Sequence, residues 1–304
     1  VFDSETNLVK HQKAKTMEGV RPMVGSKYVQ SQVGYTFSQV KKELETGHPV
    51  LFSGTPCQCA GLKSFLRYEP QNLYLIDIVC HGVPSAAILK MYLKDVSQGS
   101  RVETINFREK NPSWERFSMK ISFNQQHIYQ CDMYSDPYLR LFLENYNLND
   151  CCYTCHYANV SRSGDMTLGD FWGYLSESMA LLNDNKGINL VLVNSPKGRW
   201  LFEKIKNNMV YTSKTISEAL AGNQNLTIPS FKAIDSNEFW NDFFRQINFS
   251  EMSVLNKPVV RHSLKHKIRL LIDKYFFLMP KNLKKQYRRI KQQNAERKRE
   301  ISIK

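Results

Sequence analysis

The sequence contains no run of about 18 uncharged apolar residues, which is the length that a membrane-spanning helix requires. It also shows no secretory signal and no internal repeat. The lack of a long apolar run and of a repeat disfavours an integral membrane protein and a repeat array. With 304 residues, 42% of them hydrophobic, the chain is expected to fold in the cytoplasm as one large or two smaller globular domains.

Acidic residues are nearly missing from the C-terminal part of the chain. Residues 261–304 carry 15 Lys and Arg against three acidic residues, which leaves the rest of the chain with only +2 of the total charge of +14. This distribution disfavours a nucleic-acid-binding role for the whole protein. His262–Met279 is predicted to form an amphipathic helix with a basic face, ended by Pro280. We expect it either to dock on the anionic inner face of a membrane or to pack, solvated, on the body of the protein.

The seven cysteines cannot all form disulfide bonds within the chain, because their number is odd. In a chain of this size without an export signal, clustered cysteines indicate metal ligands or redox groups. Cys152 and Cys155 are separated by two residues, so one loop can present both sulfurs to one site. Cys151 adjoins Cys152 and is an alternative ligand. Cys59 and Cys131 are expected in the core.

Apolar runs and helical patterns alternate from residue 50 to residue 96. Strands are predicted at Val50–Phe52 and Leu73–Val79, and the helices that follow them at Gln58–Tyr68 and from Pro84 to about Val96. This alternation indicates a largely parallel sheet, and ligands collect at the carboxyl ends of such strands. Cys57 and Cys80 both lie at these ends.

Further elements follow from the same periodicities. The predicted helices are Tyr35–Thr46, Asp136–Glu144 and Lys197–Asn208, and the predicted strands are Arg101–Phe107, Ser118–Tyr129, Met166–Leu168 and Asn189–Asn194. A loop is predicted for Asp150–Cys155, and the globular body is predicted to end by about Ile234. The expected fold is mixed α/β (α+β), with a largely parallel sheet flanked by helices, a cysteine-rich cluster-binding loop and a basic C-terminal helical tail.

Four cysteines from three stretches, Cys57, Cys80, Cys152 and Cys155, form the candidate metal site. Cys57 and Cys80 each stand between a strand and a helix, where backbone N–H groups and the positive helix end favour the thiolate form. Four thiolates are the usual ligand set of a 4Fe–4S cluster. A structural zinc ion on the same four thiolates, or structural cysteines without a metal, are the alternatives.

Five motifs together resemble the coenzyme F-420 hydrogenase/dehydrogenase beta-subunit family in residues, order and spacing. They are GSKYVQS at Gly25–Ser31, GTPCQ at Gly54–Gln58, DIVCHGVPS at Asp77–Ser85, CYTC at Cys152–Cys155 and GDMTLGDFWG at Gly164–Gly173. The resemblance spans roughly Val1 to Phe202. It implies an oxidoreductase that contains FAD and an adjacent 4Fe–4S cluster on the four cysteines. In the founding members the hydride acceptor is coenzyme F-420, and some relatives are associated with polysaccharide biosynthesis.

The chain departs from the family pattern at its start and at two single positions. The glycine-rich first strand and helix of the family are expected before Val1, so the sequence resembles an N-terminally truncated member. The ferredoxin-like domain that is common upstream in relatives would likewise be expected before Val1. Cys59 stands where an apolar residue is usual, and Gly164 stands where Ser is expected. The resemblance divides the chain into residues 1–68, the remainder of an N-terminal domain; 69–235, the cluster and flavin domain; and 236–304, a helical extension with the basic tail.

Residues for flavin binding are predicted on three segments. Gly25, Ser26 and Lys27 offer N–H, hydroxyl and ammonium groups to a pyrophosphate, or form an ordinary surface turn. Gly54 and Thr55 allow close backbone approach to the cofactor beside Cys57. His81 is predicted either to donate a hydrogen bond to the flavin or a cluster sulfur, or to be structural. The two side chains expected to shape the cluster pocket, or merely to pack, are Asp170 and Trp172.

The predicted function is electron transfer between a 4Fe–4S cluster and FAD, with hydride transfer to or from F-420 or another small organic acceptor. No residue is assigned a catalytic role. A ferredoxin-like protein is the expected protein partner. Two alternatives remain: a non-catalytic binding module stabilised by zinc, and an electron-transfer subunit without a substrate of its own.

Overall fold

The structure is a computed structural model that describes residues 1–111, 113–124, 127–172, 174, 186–256, 279–280, 282–283 and 286. Almost all of the predicted basic tail, including the amphipathic helix at His262–Met279, lies outside the described residues. The described residues pack into two compact units. Unit 1 comprises residues 1–32, 83–150 and the described residues from 231 onward, and unit 2 comprises residues 33–82 and 151–230.

Short strands and helices alternate along the described chain. The strands are β1 (Phe2–Asp3), β2 (Leu8–Val9), β3 (Val50–Gly54), β4 (Leu73–Ile78), β5 (Val102–Glu109), β6 (Ser118–Phe123), β7 (Ile128–Asp132), β8 (Met166–Asp170) and β9 (Asn189–Val193). The helices are α1 (Met17–Val20), α2 (Thr36–Glu45), α3 (Pro56–Leu66), α4 (Ala86–Ser97), α5 (Pro137–Leu143), α6 (Asp150–Tyr153), α7 (Pro196–Ile205), α8 (Ile216–Gly222), α9 (Ser236–Phe244) and α10 (Ser253–Asn256).

Unit 2 is built on a four-stranded sheet in the order β3-β4-β8-β9. β3 and β4 run parallel, with Val50 opposite Leu73 and Gly54 opposite Asp77, and β4 and β8 are also parallel. β9 pairs antiparallel with β8 at the other edge. The predicted mixed α/β fold with a largely parallel sheet is therefore confirmed.

Helix α3 forms the crossover between the parallel strands β3 and β4. It begins at Pro56, whose fixed φ and missing N–H suit the first turn of a helix. Cys59, Leu62 and Leu66 follow at helical spacing and are buried in one apolar cluster with residues of β3 and β4. This packing fixes the helix against the sheet, and with it the direction in which its first turn, containing Cys57, leaves the end of β3.

Unit 1 contains the antiparallel sheet β5-β6-β7, which packs with residues of α4, α5 and α9 around one apolar core. Residues beyond Ile234 belong to this core, because Phe239, Phe249 and Met252 have no exposed surface. The prediction that the globular body ends by Ile234 is therefore wrong. These side chains lie on a short helix and on short turns, which leave no extended periodic pattern in the sequence.

Two local predictions are also wrong. The predicted strand Ser118–Tyr129 is two strands, β6 and β7, which pair antiparallel with Ser122 opposite Ile128. The polar residues Asn124–His127 interrupt the apolar alternation at the reversal, and this interruption is the sequence signal for the turn. The predicted loop Asp150–Cys155 begins with the helical turn α6, which is too short to show a helical pattern.

No helix in the described ranges is both long and apolar enough to cross a bilayer. The predicted division of the chain at residues 68/69 and 235/236 stays a prediction, since compact units defined by packing need not coincide with domains defined by family relationships. Each unit is nevertheless assembled from separated stretches of the chain. Stretch 83–150 leaves unit 2 just after β4 and returns to it just before Cys152.

Candidate functional site

The four predicted metal ligands all belong to unit 2. Cys57 lies in the first turn of α3, directly after β3, and Cys80 lies two residues beyond the end of β4. Because β3 and β4 are parallel neighbours, their carboxyl ends meet at one edge of the sheet. Cys152 lies in the helical turn α6, and Cys155 follows two residues after that turn.

Cys80 interacts electrostatically with the three other cysteines. Burial raises the pKa of the Cys80 thiol to about 12, and a hydrogen bond from the backbone of Gly82 opposes this rise. The negative charges of Cys152, Cys57 and Cys155 raise the Cys80 pKa further. The sulfurs from the three stretches therefore lie within electrostatic range of one central thiol.

The cysteines do not form a closed metal-binding group in this conformation. All seven lie in the described part of the chain, and none forms a disulfide bond. Among the described residues, no three or more His, Cys, Asp or Glu side chains are arranged so that they could hold a metal ion. In this conformation the four thiols of unit 2 lie near one another but are not arranged as a metal site.

The remaining cysteines differ clearly from these four in their surroundings. Cys59 is fully buried, and burial, followed by the nearby charges of Asp77 and Cys57, raises its pKa to about 12. Cys131 lies in β7 of unit 1, where burial raises its pKa. Cys151 is exposed, and Cys152, not Cys151, is among the thiols that raise the pKa of Cys80.

The segment that leads into Cys57 is tightly built. The Thr55 hydroxyl oxygen lies 3.1 Å from the Cys57 sulfur, and the Thr55 backbone N–H donates to the Gln58 side chain over 2.9 Å. A Cβ at Gly54 would lie 3.1 Å from Gln58 Oε1, closer than ordinary contact. The strand-to-helix turn therefore holds a hydroxyl group beside the sulfur of Cys57.

A buried arginine connects the chain after Cys155 to the end of β4. Arg162 forms an ion pair of 2.9 Å with Asp77, and their side chains are only 1% and 0% exposed. Arg162 also donates to the backbone oxygens of Tyr157, Asn159 and Ile78. It thereby joins two of the three stretches that carry the candidate ligands.

The residues predicted to hold the flavin phosphates belong to unit 1. Gly25 has a φ of 90°, which favours glycine, and Gly25 and Ser26 are exposed. The Lys27 ammonium donates to the backbone oxygens of Met23, Val24 and Gly25 at 3.0, 3.0 and 3.2 Å. Burial lowers the pKa of Lys27. The ammonium therefore closes its own loop, and the role of this loop in phosphate binding stays a prediction.

His81 belongs to unit 2, as Gly54 and Thr55 do. The Ser230 hydroxyl donates to the backbone oxygen of His81 over 2.5 Å and lies 3.5 Å from its Nδ1. These contacts fix the turn that follows Cys80. The predicted hydrogen bond from His81 to a cofactor stays a prediction.

The two side chains predicted to shape the pocket lie at the end of β8 or just after it. Asp170 is the last residue of that strand, opposite Asn189. The Trp172 backbone packs so closely on α8 that a Cβ at Gly222 would clash with the Trp172 backbone oxygen. This contact indicates a packing role for the Trp172 backbone.

Sequence reasoning missed Arg162 and also Asn147 of unit 1. The Asn147 side chain has no exposed surface, and within the described chain neither its nitrogen nor its oxygen has a hydrogen-bond partner. A single Arg in a loop has no motif that would single it out. The asparagines around Asn147, directly before Cys151, are a weak signal, because such clusters are typical of turns.

Comparison with known protein families identifies one family for this chain. The family model that matches residues 47–219, more than half of the chain, describes the C-terminal part of the beta subunit of coenzyme F420 hydrogenase/dehydrogenase. A solved structure, the xenon-derivatised F420-reducing [NiFe] hydrogenase complex from Methanosarcina barkeri, is similar with 17% identity and a TM-score of 0.44. That similarity covers 71% of this chain and 67% of the other. A comparison with curated proteins finds no match.

Proposed function

Since the chain belongs to the coenzyme F-420 hydrogenase/dehydrogenase beta-subunit family, we propose that it is an iron–sulfur flavoprotein oxidoreductase. In this proposal Cys57, Cys80, Cys152 and Cys155 hold a 4Fe–4S cluster, and FAD binds beside it. The chain passes electrons between the two cofactors and exchanges hydride with a small organic acceptor, F-420 or another. The family relationship supports the oxidoreductase class, and the cysteine arrangement supports the cluster.

The observation that carries the proposal is the set of charges that act on Cys80. Cys57, from one separate stretch, and Cys152 and Cys155, from another, all raise the pKa of Cys80. Metal ions and clusters bind cysteines as thiolates and displace their protons. A metal centre that uses all four sulfurs explains why cysteines from separate stretches of the chain share one region of unit 2.

Four thiolates can bind either a 4Fe–4S cluster or a single zinc ion. We propose the cluster because the motifs that carry the four cysteines resemble those of a family whose members hold a 4Fe–4S cluster.

When bound, FAD supplies two-electron exchange with an organic acceptor and one-electron exchange with an iron–sulfur centre. The protein residues contribute binding and orientation. The thiols of Cys57, Cys80, Cys152 and Cys155 bind the metal after losing their protons. The Thr55 hydroxyl lies at hydrogen-bonding distance from the Cys57 sulfur, and so it donates to that sulfur in the thiolate form.

The test of the metal site is anaerobic purification with analysis of iron, sulfide, zinc and flavin. We expect about four irons and four sulfides per chain. Cys80→Ser should lose most of the iron, whereas Cys131→Ser, in unit 1, should keep it. Cys151→Ser should also keep the iron, because Cys152 is the proposed ligand. A colourless protein with one zinc per chain would refute the cluster.

The enzymatic role is tested in a separate experiment. Turnover of the purified chain with an artificial electron donor and candidate acceptors tests the enzymatic role. If the protein contains both cofactors but turns over only after a ferredoxin-like or catalytic partner is added, it is an electron-transfer subunit.

A further inference from the structure

We propose that Arg162 is a positioning residue that sets the separation between Cys80 and Cys155, and thereby the geometry of the cluster site. This inference rests on the proposed function, because it assumes that these cysteines bind a cluster. Arg162 itself touches none of the four sulfurs in the contacts described above. It acts through the two backbone segments that carry them.

Every N–H group of the Arg162 guanidinium has an acceptor. Nε donates to the Thr167 hydroxyl at 3.1 Å, and Nη1 donates to the backbone oxygens of Tyr157 and Asn159 at 3.2 and 3.1 Å. Nη2 donates to Asp77 Oδ1 and to the backbone oxygen of Ile78, both at 2.9 Å. A guanidinium has five N–H donors in a rigid plane, so this set is complete.

The acceptors are distributed over two stretches of the candidate site. Tyr157 follows Cys155 by two residues, and Ile78 precedes Cys80 by two residues. Arg162 binds the backbone oxygens of both Tyr157 and Ile78, so it holds the backbone of these two segments directly. A planar group that binds both segments fixes the distance between them. It therefore also limits the distance between Cys80 and Cys155.

Asp77 completes the arrangement from the side of β4. Its Oδ1 accepts from the Thr167 hydroxyl at 2.6 Å, and its Oδ2 accepts from the Gly164 backbone at 2.8 Å. The buried carboxylate compensates the charge of Arg162, and both side chains are almost fully hidden from solvent. Lysine has three donors on a flexible stem and cannot reproduce this planar set.

Burying an ion pair costs desolvation energy that the pair itself seldom returns. A pair of apolar side chains would serve unit 2 at least as well if stability were the only requirement. What the pair provides is a rigid, directional connection between two main chains. A cluster with four thiolate ligands needs such pre-arranged segments, because its ligands must meet irons at fixed positions.

The experiment compares four proteins that are purified anaerobically: wild type, Arg162→Lys, the double variant Arg162→Gln with Asp77→Asn, and Ser195→Ala. The double variant removes both buried charges, so it leaves no uncompensated ion in the interior. Ser195→Ala is the control. It removes a hydrogen bond to Asp165 and the cap of α7 in the same unit, and it touches neither cysteine segment.

Thermal stability, iron and sulfide content, and the electron paramagnetic resonance spectrum of the reduced protein are measured for each. We expect Arg162→Lys and the double variant to lose at least half of the iron and to show an altered spectrum in what remains. Ser195→Ala should lower the melting temperature but keep the wild-type iron content and spectrum.

Wild-type iron content and spectrum in the double variant would overturn the positioning role. Equal iron loss in Ser195→Ala at an equal melting temperature would overturn it as well, because the loss would then reflect stability alone. A wild-type protein without iron would instead refute the proposed function, and the inference with it.

Discussion

Ionisation of Asp136 should make the stability of the protein depend on pH between about 4 and 6. The Asp136 carboxylate has no exposed surface and accepts hydrogen bonds from the hydroxyls of Tyr92 and Tyr129 at 2.6 and 2.9 Å and from the Leu139 backbone at 2.8 Å. Burial nevertheless raises its pKa from 3.8 to about 6, because desolvation of the charged form outweighs these three bonds.

The direction in which stability changes with pH follows from whether the folded or the unfolded state holds the proton of Asp136. Between about pH 4 and pH 6 the folded protein holds a proton on Asp136 that the unfolded chain has released. The stabilising contribution is therefore complete below about pH 4 and is lost as the pH rises through about 6. At 1.36 kcal/mol per tenfold change in proton affinity, a rise from 3.8 to about 6 corresponds to about 3 kcal/mol in the free energy of unfolding.

The assay is urea denaturation of wild type and Asp136→Asn from pH 4 to pH 7.5, followed by circular dichroism. Asparagine cannot ionise, so the stability advantage of wild type over the variant should shrink by about 3 kcal/mol across this range. Asp242→Asn is the control. Hydrogen bonds from Ser253 lower the pKa of Asp242, which is partly exposed, so its contribution is constant above about pH 4. A difference between wild type and Asp136→Asn that does not change with pH would refute the reasoning.

Two further predictions concern the segment before Cys57 and the packing of unit 2. Thr55→Val removes the hydroxyl beside the Cys57 sulfur and should lower the cluster potential by a few tens of mV in a redox titration, whereas Thr55→Ser should keep it. An unchanged potential in Thr55→Val would argue against that hydrogen bond. Gly198→Ala places a Cβ in direct clash with the Asp165 backbone oxygen and should cost about 3 kcal/mol or more in thermal unfolding. Gly61→Ala, where the nearest atom is 3.5 Å away, should be neutral or stabilising, and equal effects of the two substitutions would contradict this packing.

The parallel pairing of β3 and β4 could be predicted because the residue patterns that indicate it lie within one short stretch of the sequence. Val50–Gly54 and Leu73–Ile78 are short apolar strands with a helix between them, and right-handed crossover geometry then makes them parallel neighbours. The positions of Cys57 and Cys80 at one sheet edge follow from that topology alone. β8 lies far from β4 in the sequence, and no periodic pattern predicts that these two strands are neighbours in the sheet.

Arg162 shows where sequence reasoning ends. Its partner Asp77 lies 85 positions earlier, and the other acceptors are mostly backbone oxygens, which every residue carries. Nothing in residue type or spacing distinguishes this Arg from a solvated one. Asn147 could not be found for the same reason, since an asparagine in a polar stretch is expected on the surface and only packing reveals that it is buried.

The order of the chain explains why ligands so distant in sequence share one region. The chain leaves unit 2 at Gly82, two residues after Cys80, and re-enters it at Cys151, one residue before Cys152. Exit and entry points of an inserted stretch are usually close together, because the host unit must close around them. After re-entry the chain becomes β8, which pairs parallel to β4, with Ile76 opposite Met166. Residues 152–155 therefore precede β8, and β8 lies beside β4, the strand that leads to Cys80. Arg162 lies in the segment between Cys155 and the start of β8 at Met166.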